Sequence, residues 1–279
     1  MLLKIILAMV AFAANSLLCR LALKGLHMDA VSFSSVRLLS GAIALFLLLQ
    51  LPALKKKPEF NGLNACLLAL YVFAFSIAYV SMGAAIGALL LFGTVQLVMT
   101  GWGFMRGERL TPLKTVGIVA AMVGLVLLLL PGAAHPPLTA ALMMIVSGIA
   151  WGLYCITGKR VKNATAATAG NFILAVPIAL VVFLLSGMQT HMDASGLMLA
   201  VTSGALASGA AYLLWYSLLP MLSPATASTL QLSVPCLAAL GGMVFLGEAL
   251  TARMLISIAV TLSGIGLVIY ADRSRNTKE

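Results

Sequence analysis

The residue in this sequence best suited to binding chemistry is an arginine inside an apolar segment. If the segment is a helix, Arg37 lies roughly 12 Å, or about two turns, beyond Asp29. A charge at that depth is costly unless it faces a cavity or a partner. A guanidinium can hold a carboxylate or a phosphate with two hydrogen bonds, which makes Arg37 a candidate anchor for an anionic group. The alternative is structural: Arg37 satisfies helix carbonyls or extends its head outward.

Polar and aromatic side chains in other apolar segments are candidates for lining a cavity, because rings with a few convergent donors suit small organic ligands. Together with Arg37, we select as substrate-binding candidates Asn15, Tyr79, Gln96, Trp151, Tyr154, Tyr212 and Gln231. A wider set contains Tyr71, Ser76, Thr94, Asn171 and Ser233. Near the ends of such segments, aromatic residues more often form an interfacial belt, and we predict this for Trp215 and Tyr216.

The sequence lacks the patterns of common catalytic and metal sites. It contains no metalloprotease helix, phosphate-binding glycine loop or serine elbow. The four cysteines, Cys19, Cys66, Cys155 and Cys236, are far apart and form no Cys-x-x-Cys pair. We therefore predict buried reduced thiols, no metal, no cofactor and no catalytic residues.

Composition determines which elements position these residues. Of 279 residues, 62% are hydrophobic and only 9% are charged, whereas a soluble domain carries about 25% charged residues. An ordinary soluble domain is therefore excluded, and the high hydrophobicity excludes disorder. Barrel strands are about half as long as the apolar segments found here. We predict an all-α polytopic membrane protein.

Ten apolar segments have the length of a transmembrane helix, about 20 residues. They cover residues 3–23, 30–50, 63–81, 84–105, 112–131, 138–157, 167–187, 195–217, 224–246 and 252–271. Asp29, Thr111 before Pro112, and Ser223 before Pro224 are predicted helix starts. The first segment imitates a signal peptide, but its apolar run continues too far, so we predict an uncleaved first helix.

The placement of charge predicts the topology. Lys and Arg number 17 against 7 Asp and Glu, a net charge of +10. With a cytoplasmic N-terminus, most of the cations fall on the cytoplasmic side, in clusters at 55–57, 106–114, 159–162 and 273–278, while His27, His135 and His191 fall opposite. The positive-inside rule then places both termini in the cytoplasm. Because the cations are spread over separate loops, we expect no nucleic-acid partner.

None of the acidic residues falls within a predicted span. Intramembrane carboxylates are the usual proton or sodium carriers of coupled transporters, so their absence argues against proton antiport through a buried acid. It favours facilitated diffusion, exchange or coupling through the substrate, although backbone carbonyls can also bind sodium. Glu108 and Glu248 stand at turns, and we predict that they cap the helices that follow.

The sequence also repeats itself. The motif at 107–111, Gly-Glu-Arg-Leu-Thr, returns at 247–251 as Gly-Glu-Ala-Leu-Thr, and Gly124 returns as Gly264 at the same spacing. We predict two five-helix repeats, residues 1–132 and 133–279. An odd number of spans inserts the second repeat with inverted orientation. Inverted repeats offer outward-open and inward-open states around one central site, which is typical of carriers.

These features resemble the drug/metabolite transporter superfamily. The paired Gly-Glu-x-Leu-Thr motifs, the spaced glycines of the helices that follow them, Arg37 in the second span and the five-plus-five layout are similar to its EamA-type branch, over essentially the whole chain. The resemblance implies a central cavity, a bacterial inner-membrane location and transport of metabolites, often export of amino acids or related compounds. The first-half counterpart of Pro235 is Val95, which puts in doubt a helix break near the middle of span 4.

We predict a secondary transporter, a facilitator or exporter of small metabolites such as amino acids, that works by alternating access. Its expected partners are a small-molecule substrate and the lipid bilayer. The sequence leaves open whether the protein forms a homodimer. One alternative is an integral membrane enzyme acting on a lipid-linked substrate, which would need clustered His, Asp or Glu at the membrane interface. Another is a channel or scaffold, which the inverted repeat disfavours.

Overall fold

The computed structural model describes residues 1–24, 27–52, 55–82, 84–129, 136–186, 191–246 and 251–276. These residues form the helices α1 (Leu2–Lys24), α2 (Ala30–Gln50), α3 (Gly62–Ser81), α4 (Ala84–Met105), α5 (Pro112–Leu129), α6 (Leu138–Gly158), α7 (Ala164–Leu185), α8 (Ala194–Thr202), α9 (Ala211–Leu218), α10 (Pro224–Gln231), α11 (Ser233–Leu246) and α12 (Ala252–Asn276). A π-helical segment (Ser203–Ala210) joins α8 to α9, and a 3-10 turn (Leu219–Met221) follows α9.

The predicted fold class is confirmed: the chain is an all-α, multi-pass membrane protein built from two inverted five-helix repeats. In the described part, eight helical stretches are long and apolar enough to cross a membrane, and Pro112–Leu128 is a shorter apolar helix. One of the eight, Ala194–Met221, joins α8, the π-helical segment and α9 into a single crossing. The shorter helices α10 and α11 follow each other and together form the ninth span.

Contacts between distant connections show which helix ends lie together. The Asp29 amide donates to the His191 carbonyl at 3.0 Å, so the α1–α2 and α7–α8 connections meet at one end of the bundle. The Lys114 ammonium donates to Ser223 at 2.9 Å and to Asp272 at 2.8 Å, so α5, α10 and α12 meet at the other end. In a chain that crosses the membrane ten times, the starts of spans 5 and 9 and the end of span 10 fall on the same side, as these contacts place them. Residues 130–135, with His135, and residues 247–250, with Glu248, lie outside the described residues.

The predicted helix starts are confirmed by their capping bonds. Asp29 accepts from two amides in the first turn of α2, at 3.0 and 2.9 Å. The Ser223 hydroxyl accepts from the Thr226 amide at 3.3 Å at the start of α10. The Thr111 hydroxyl accepts from the Lys114 amide at 3.3 Å at the start of α5. Each cap satisfies an amide that the first helical turn leaves without a partner.

Spans 4 and 9 differ in continuity. The helix α4 runs without interruption past Val95, whereas the ninth span is interrupted at Leu232, between α10 and α11. Pro235 explains the difference, because proline donates no backbone hydrogen bond and its ring clashes with the carbonyl four residues earlier, that of Gln231. Val95 imposes neither constraint. The proline therefore breaks only its own span.

Burial follows the pattern expected of a protein in lipid. Several polar side chains are fully buried, among them Ser34, Arg37 and Gln231, while Leu97 and Phe104 are 72% and 73% exposed. Such outward-facing apolar side chains suit a hydrocarbon solvent. Cys19, Cys155 and Cys236 are buried free thiols as predicted, but the prediction is wrong for Cys66, which is exposed.

The spaced glycines of the repeat form the contact between α5 and α12. A Cβ atom added at Gly117 would lie 2.8 Å from the Gly264 carbonyl oxygen, and one added at Gly124 would lie 2.5 Å from the Thr261 hydroxyl. Residues without side chains at these points let the two helix backbones approach closely. The last helices of the two repeats are thereby packed against each other.

Candidate functional site

Arg37 joins the two repeats through side-chain hydrogen bonds. It is fully buried. Its Nε donates to Ser208 Oγ at 2.8 Å, and its Nη2 donates to Tyr212 Oη at 2.6 Å and to Tyr71 Oη at 3.3 Å. Among the residues that the structure describes, the partners of the guanidinium are side-chain hydroxyls rather than helix carbonyls, and the buried head does not extend outward. Ser208 and Tyr212 belong to the second repeat, so Arg37 holds the halves together.

One end of the Arg37 guanidinium has no hydrogen-bond partner among the residues that the structure describes. Its Nη1 is buried without a hydrogen bond. The Tyr71 and Phe75 rings lie 5.5 and 5.7 Å from the guanidinium carbon, within cation–π range. Among the residues that the structure describes, no carboxylate pairs with Arg37. A buried cation with a free donor favours the binding of an anionic group, because a charge-assisted hydrogen bond in a low dielectric is strong.

The π-helical segment brings Ser208 to Arg37. It packs on α2 so closely that a Cβ atom added at Gly204 would lie 2.2 Å from the Arg37 carbonyl oxygen. Only a residue without a side chain fits there. Segments of π-helix are rare and occur frequently at functional sites. Here the segment presents the Ser208 hydroxyl, and α9 presents Tyr212, two residues past the end of the segment, to the buried guanidinium.

A small internal cavity adjoins the two tyrosines that contact Arg37. Its volume is about 10 Å³, which is room for about one water molecule. It is lined by Phe12, Asn15, Ser16, Tyr71, Phe75, Leu91, Phe92, Trp151 and Tyr212. Side chains of both repeats form the walls. This cavity is too small for a metabolite, because side chains of the two repeats touch each other across it.

Aromatic rings make most of these wall-to-wall contacts. Phe12 meets Trp151 and Tyr212 edge-on, with ring centroids 5.6 Å apart in each case. The centroid of the Trp151 ring lies 4.8 Å from that of Tyr71 and 4.7 Å from that of Tyr212. Aromatic faces carry negative electrostatic potential and can receive a cation as well as apolar groups. The walls therefore suit a ligand with an ammonium group or an apolar side chain.

Two polar pairs orient side chains at the cavity. Trp151 Nε1 donates to Gln231 Oε1 at 2.6 Å, which fixes the indole ring. Ser203 Oγ donates to Asn15 Oδ1 at 2.6 Å and links α1 to the start of the π-helical segment. Gln231 is the last residue of α10 and stands immediately before the helix interruption. A movement at that interruption would therefore move a wall of the cavity.

Of the eight predicted site residues, three line the cavity and four contact a residue that lines it. Asn15, Trp151 and Tyr212 line the cavity, Arg37 contacts Tyr212, and Gln231 contacts Trp151. Each of the five is at most 3% exposed.

Tyr154 and Tyr79 also contact the cavity lining, whereas the described contacts of Gln96 are with other residues. Tyr154 stacks on Trp151 with centroids 5.6 Å apart, and its hydroxyl accepts from Asn171. Tyr79 packs against Phe75 at 4.6 Å. Gln96 donates to Thr229 at 3.2 Å and so joins α4 to α10. Tyr154 supports the wall from behind.

Sequence reasoning missed some of the site and misplaced two aromatic residues. Phe12, Phe75 and Ser208 were not predicted, because phenylalanine in an apolar segment and serine in a small-residue run are unremarkable in a sequence. The predicted interfacial role of Trp215 and Tyr216 is wrong: both are fully buried. Trp215 Nε1 donates to Cys155 Sγ, and Tyr216 Oη donates to the Tyr154 carbonyl.

One end of the bundle, called here the bridge end, is closed by residues 27–29 and 191–193. Met28 and Met192 form an antiparallel β-bridge, flanked by the bond from the Asp193 amide to the His27 carbonyl at 2.9 Å. His27 Nδ1 lies 2.7 Å from Asp193 Oδ2 at the surface. The Gly196 amide and then His27 lower the pKa of Asp193 below its ordinary value, because both stabilise the carboxylate. The first repeat is joined here to the second.

The opposite end is closed by a group called here the lysine cluster: Glu108, Lys114, Ser223, Thr226 and Asp272. Lys114 is 4% exposed, and its ammonium donates to Glu108 at 3.0 Å as well as to Ser223 and Asp272. Glu108 was predicted to cap the helix that follows it. Its second oxygen instead accepts from an amide at the start of α10, in the other repeat, at 3.4 Å.

Lys159 borders the lysine cluster. It donates to the carbonyl oxygens of Leu219 and Leu222, which end the eighth span. Burial lowers the pKa of Lys159 below its ordinary value; the nearby carboxylate of Glu108 opposes this effect and the charge of Lys114 adds to it. Two lysines and two carboxylates are thus gathered at one end of the bundle.

Known proteins resemble this chain over most of its length. It is 47% identical to an uncharacterized protein of Pseudomonas aeruginosa over 275 residues, which cover 98% of this chain and 96% of that protein. It is 30% identical to the threonine/homoserine exporter RhtA of Salmonella typhimurium over 239 residues, covering 82% of this chain and 75% of that protein. An uncharacterized transporter of Archaeoglobus fulgidus is 28% identical and covers 68% of this chain and 69% of its own length.

A solved crystal structure shows the same fold. At 17% sequence identity it superposes with a TM-score of 0.77 and covers 94% of this chain and 98% of its own. The sequence profile of the EamA-like transporter family matches residues 1–130 and 138–270, one stretch in each repeat. Two inverted repeats, a small cavity lined by both of them and these matches lead to one conclusion: the chain belongs to the EamA-like transporter family.

Proposed function

We propose that this protein is a secondary transporter that carries small carboxylate-bearing metabolites, amino acids foremost, across the bacterial inner membrane by alternating access. The observation that carries the proposal is the buried guanidinium of Arg37, whose Nη1 has no partner beside an aromatic cavity between the repeats. The family and the names of its relatives indicate a membrane transporter of small metabolites rather than an enzyme.

The ends of the site suit the two charged groups of an amino acid. Arg37 and the hydroxyls of Tyr71 and Tyr212 form a donor-rich end that fits a carboxylate. The rings of Phe12 and Trp151 form an aromatic end that fits an ammonium group through cation–π attraction. The relatives named as threonine/homoserine exporters support the same class of substrate.

The closed cavity corresponds to an occluded step of the transport cycle. Both ends of the bundle are joined across the repeats, and the cavity lined by Tyr71, Trp151 and Tyr212 has room for about one water molecule. Substrate entry requires one end to part while the other stays closed, which two inverted repeats can do at similar energy. In the orientation favoured by the positive-inside rule, the lysine cluster faces the cytoplasm with both chain termini.

Counterflow in liposomes tests the proposal. Purified protein is reconstituted into vesicles preloaded with an unlabelled compound, and uptake of the labelled compound is followed for amino acids, their decarboxylated amines, nucleobases and sugars. We expect saturable counterflow of an amino acid without ATP, light or a redox partner, and none of its amine. If every compound of the panel fails while the protein converts a lipid-linked precursor, the proposal is wrong.

Substitution of Arg37 locates the carboxylate site. Arg37→Met removes the free donor and the bonds to the tyrosines. We expect the apparent affinity for the substrate to fall by about 10- to 100-fold, which corresponds to the free energy of a hydrogen bond to a charged group. Arg37→Lys keeps the charge and should lose less. Lys162→Met, a change at an exposed lysine, is the matched control. Equal losses of transport and thermal stability in Arg37→Met would assign Arg37 a structural role instead.

A further inference from the structure

The lysine cluster contains a cation whose hydrogen bonds are complete. The Lys114 ammonium has three donors, and it reaches Glu108 Oε1 at 3.0 Å, Ser223 Oγ at 2.9 Å and Asp272 Oδ1 at 2.8 Å. Its side chain is 5% exposed, that of Glu108 is 12% and that of Asp272 is 35%. Water therefore replaces these contacts only if the surrounding helices separate.

The partners of Lys114 belong to both repeats. Glu108 lies in the connection between α4 and α5, and Lys114 lies in α5. Ser223 caps α10, and Asp272 lies near the end of α12. The free oxygens of the two carboxylates also bind α10: Glu108 accepts from the Ala225 amide at 3.4 Å, and Asp272 accepts from the Thr226 hydroxyl. The cluster thus ties the first turn of α10 to the first repeat.

The internal repeat does not duplicate this cluster at the bridge end. At the spacing that relates the two Gly-Glu-x-Leu-Thr motifs, Met254 stands where the first repeat has Lys114. Gly83 stands in the place that corresponds to Ser223, and Gly132 in the place that corresponds to Asp272. Since methionine carries no charge and glycine no side chain, the inverted counterpart cannot form the same bonds. The sequence therefore supplies the lysine of this cluster in the first repeat and a methionine at the corresponding position of the second.

We propose that Lys114 is the positioning residue that keeps this end of the transport pathway closed, by fixing the start of α10 against the first repeat. This gives the Gly-Glu-x-Leu-Thr motif of the first repeat a role in transport, and it rests on the alternating access proposed above. Opening at this end requires α10 to leave α4, which also separates Gln96 from Thr229 one turn deeper. The bond from Lys114 to Ser223 and the bond from the Ala225 amide to Glu108 must break at the same time.

Thiol labelling without substrate tests the proposal independently of flux. Two reporters are placed in a Cys66→Ser background: Thr229→Cys, buried between α4 and α10 behind the lysine cluster, and Ser32→Cys, buried in the first turn of α2 at the bridge end. Each is labelled with a maleimide in parent, Lys114→Met, Lys114→Arg and Lys162→Met proteins. The parent without a reporter measures labelling of the buried native thiols.

We expect Lys114→Met to raise the labelling rate at Thr229→Cys at least about tenfold, since bonds to a charged group are lost. Labelling at Ser32→Cys should not rise, Lys114→Arg should fall between Lys114→Met and the parent, and Lys162→Met should match the parent. An unchanged rate at Thr229→Cys, or equal increases at both reporters, would overturn the proposal and assign Lys114 to general stability. A loss of counterflow alone bears on the transport function and leaves this result intact.

Discussion

The two ends of the helix bundle are closed by contacts of opposite character. At the bridge end, backbone groups of residues 27–29 and 191–193 pair at the surface, and the His27 and Asp193 side chains are 40% and 44% exposed. At the lysine cluster, the Lys114 side chain is 5% exposed and contacts three side chains. Water screens both charges of the first set, whereas in the second it reaches mainly Asp272, which is 35% exposed. The bridge end is therefore the easier of the two to open.

Locking the bridge end gives the largest expected effect. Met28 and Met192 form an antiparallel bridge pair, and paired residues of this kind have Cα separations that a disulfide can span. In a Cys66→Ser background, we expect Met28→Cys with Met192→Cys to lose counterflow after oxidation and to recover it with reductant. The two single-cysteine variants are the controls. Full flux in the oxidised protein would show that transport does not require this end to part.

Weakening the lysine cluster should come next. Glu108→Gln leaves Lys114 without one of its two charged partners, so we expect the free energy of unfolding to fall by about 1–3 kcal/mol. Thermal unfolding in detergent measures this against Lys162→Met. A Glu108→Gln protein as stable as its parent would contradict the assignment of greater strength to this end.

Acid should affect the bridge end through Asp193. Its pKa is lowered, first by the Gly196 amide and then by His27, so the charged form stabilises the fold. That stability is complete above an ordinary aspartate pKa of about 3.9 and is lost as the pH falls through the lower folded value. We expect Asp193→Ala to lower the unfolding temperature by about 2–4 °C at pH 7. The difference from the parent should shrink as the pH falls below about 3.9 through the lower folded value, and a difference that stays constant over that range would exclude titration of Asp193 as its cause.

The smallest effect is expected from His27. Its ring contacts Asp193 at the surface, and exposed ion pairs contribute little because water screens them. We expect His27→Ala to change the unfolding temperature by no more than about 2 °C. A loss as large as that of Glu108→Gln would show that the two ends do not differ in strength.

Much of the fold was predictable from local patterns. Span lengths follow from the thickness of a bilayer, and Asp29, Thr111 and Ser223 cap helices with side chains that adjoin the amides they satisfy. Arg37 stood out because a charge is rare in an apolar segment. Each of these signals lies within a few residues of the structure that it predicts.

The rest depended on contacts between residues far apart in the chain. No sequence pattern predicts that Ser208 and Tyr212 accept hydrogen bonds from Arg37, that Phe12 lines the cavity, or that Trp215 is buried. Lys114 looks like one more cation of a cytoplasmic cluster. It is buried because Ser223 and Asp272, more than a hundred residues away, complete its hydrogen bonds.

The sequence by itself determined that the chain lies in lipid, that it crosses the membrane ten times and that its halves are inverted copies. It could do so because hydrophobic length, charge placement and repetition are properties of the linear chain. Only the tertiary structure decided which end is held by buried charge and which side chains enclose the cavity. Those outcomes depend on how the two similar repeats pack, because the partners of a side chain are determined by the helix that packs against it.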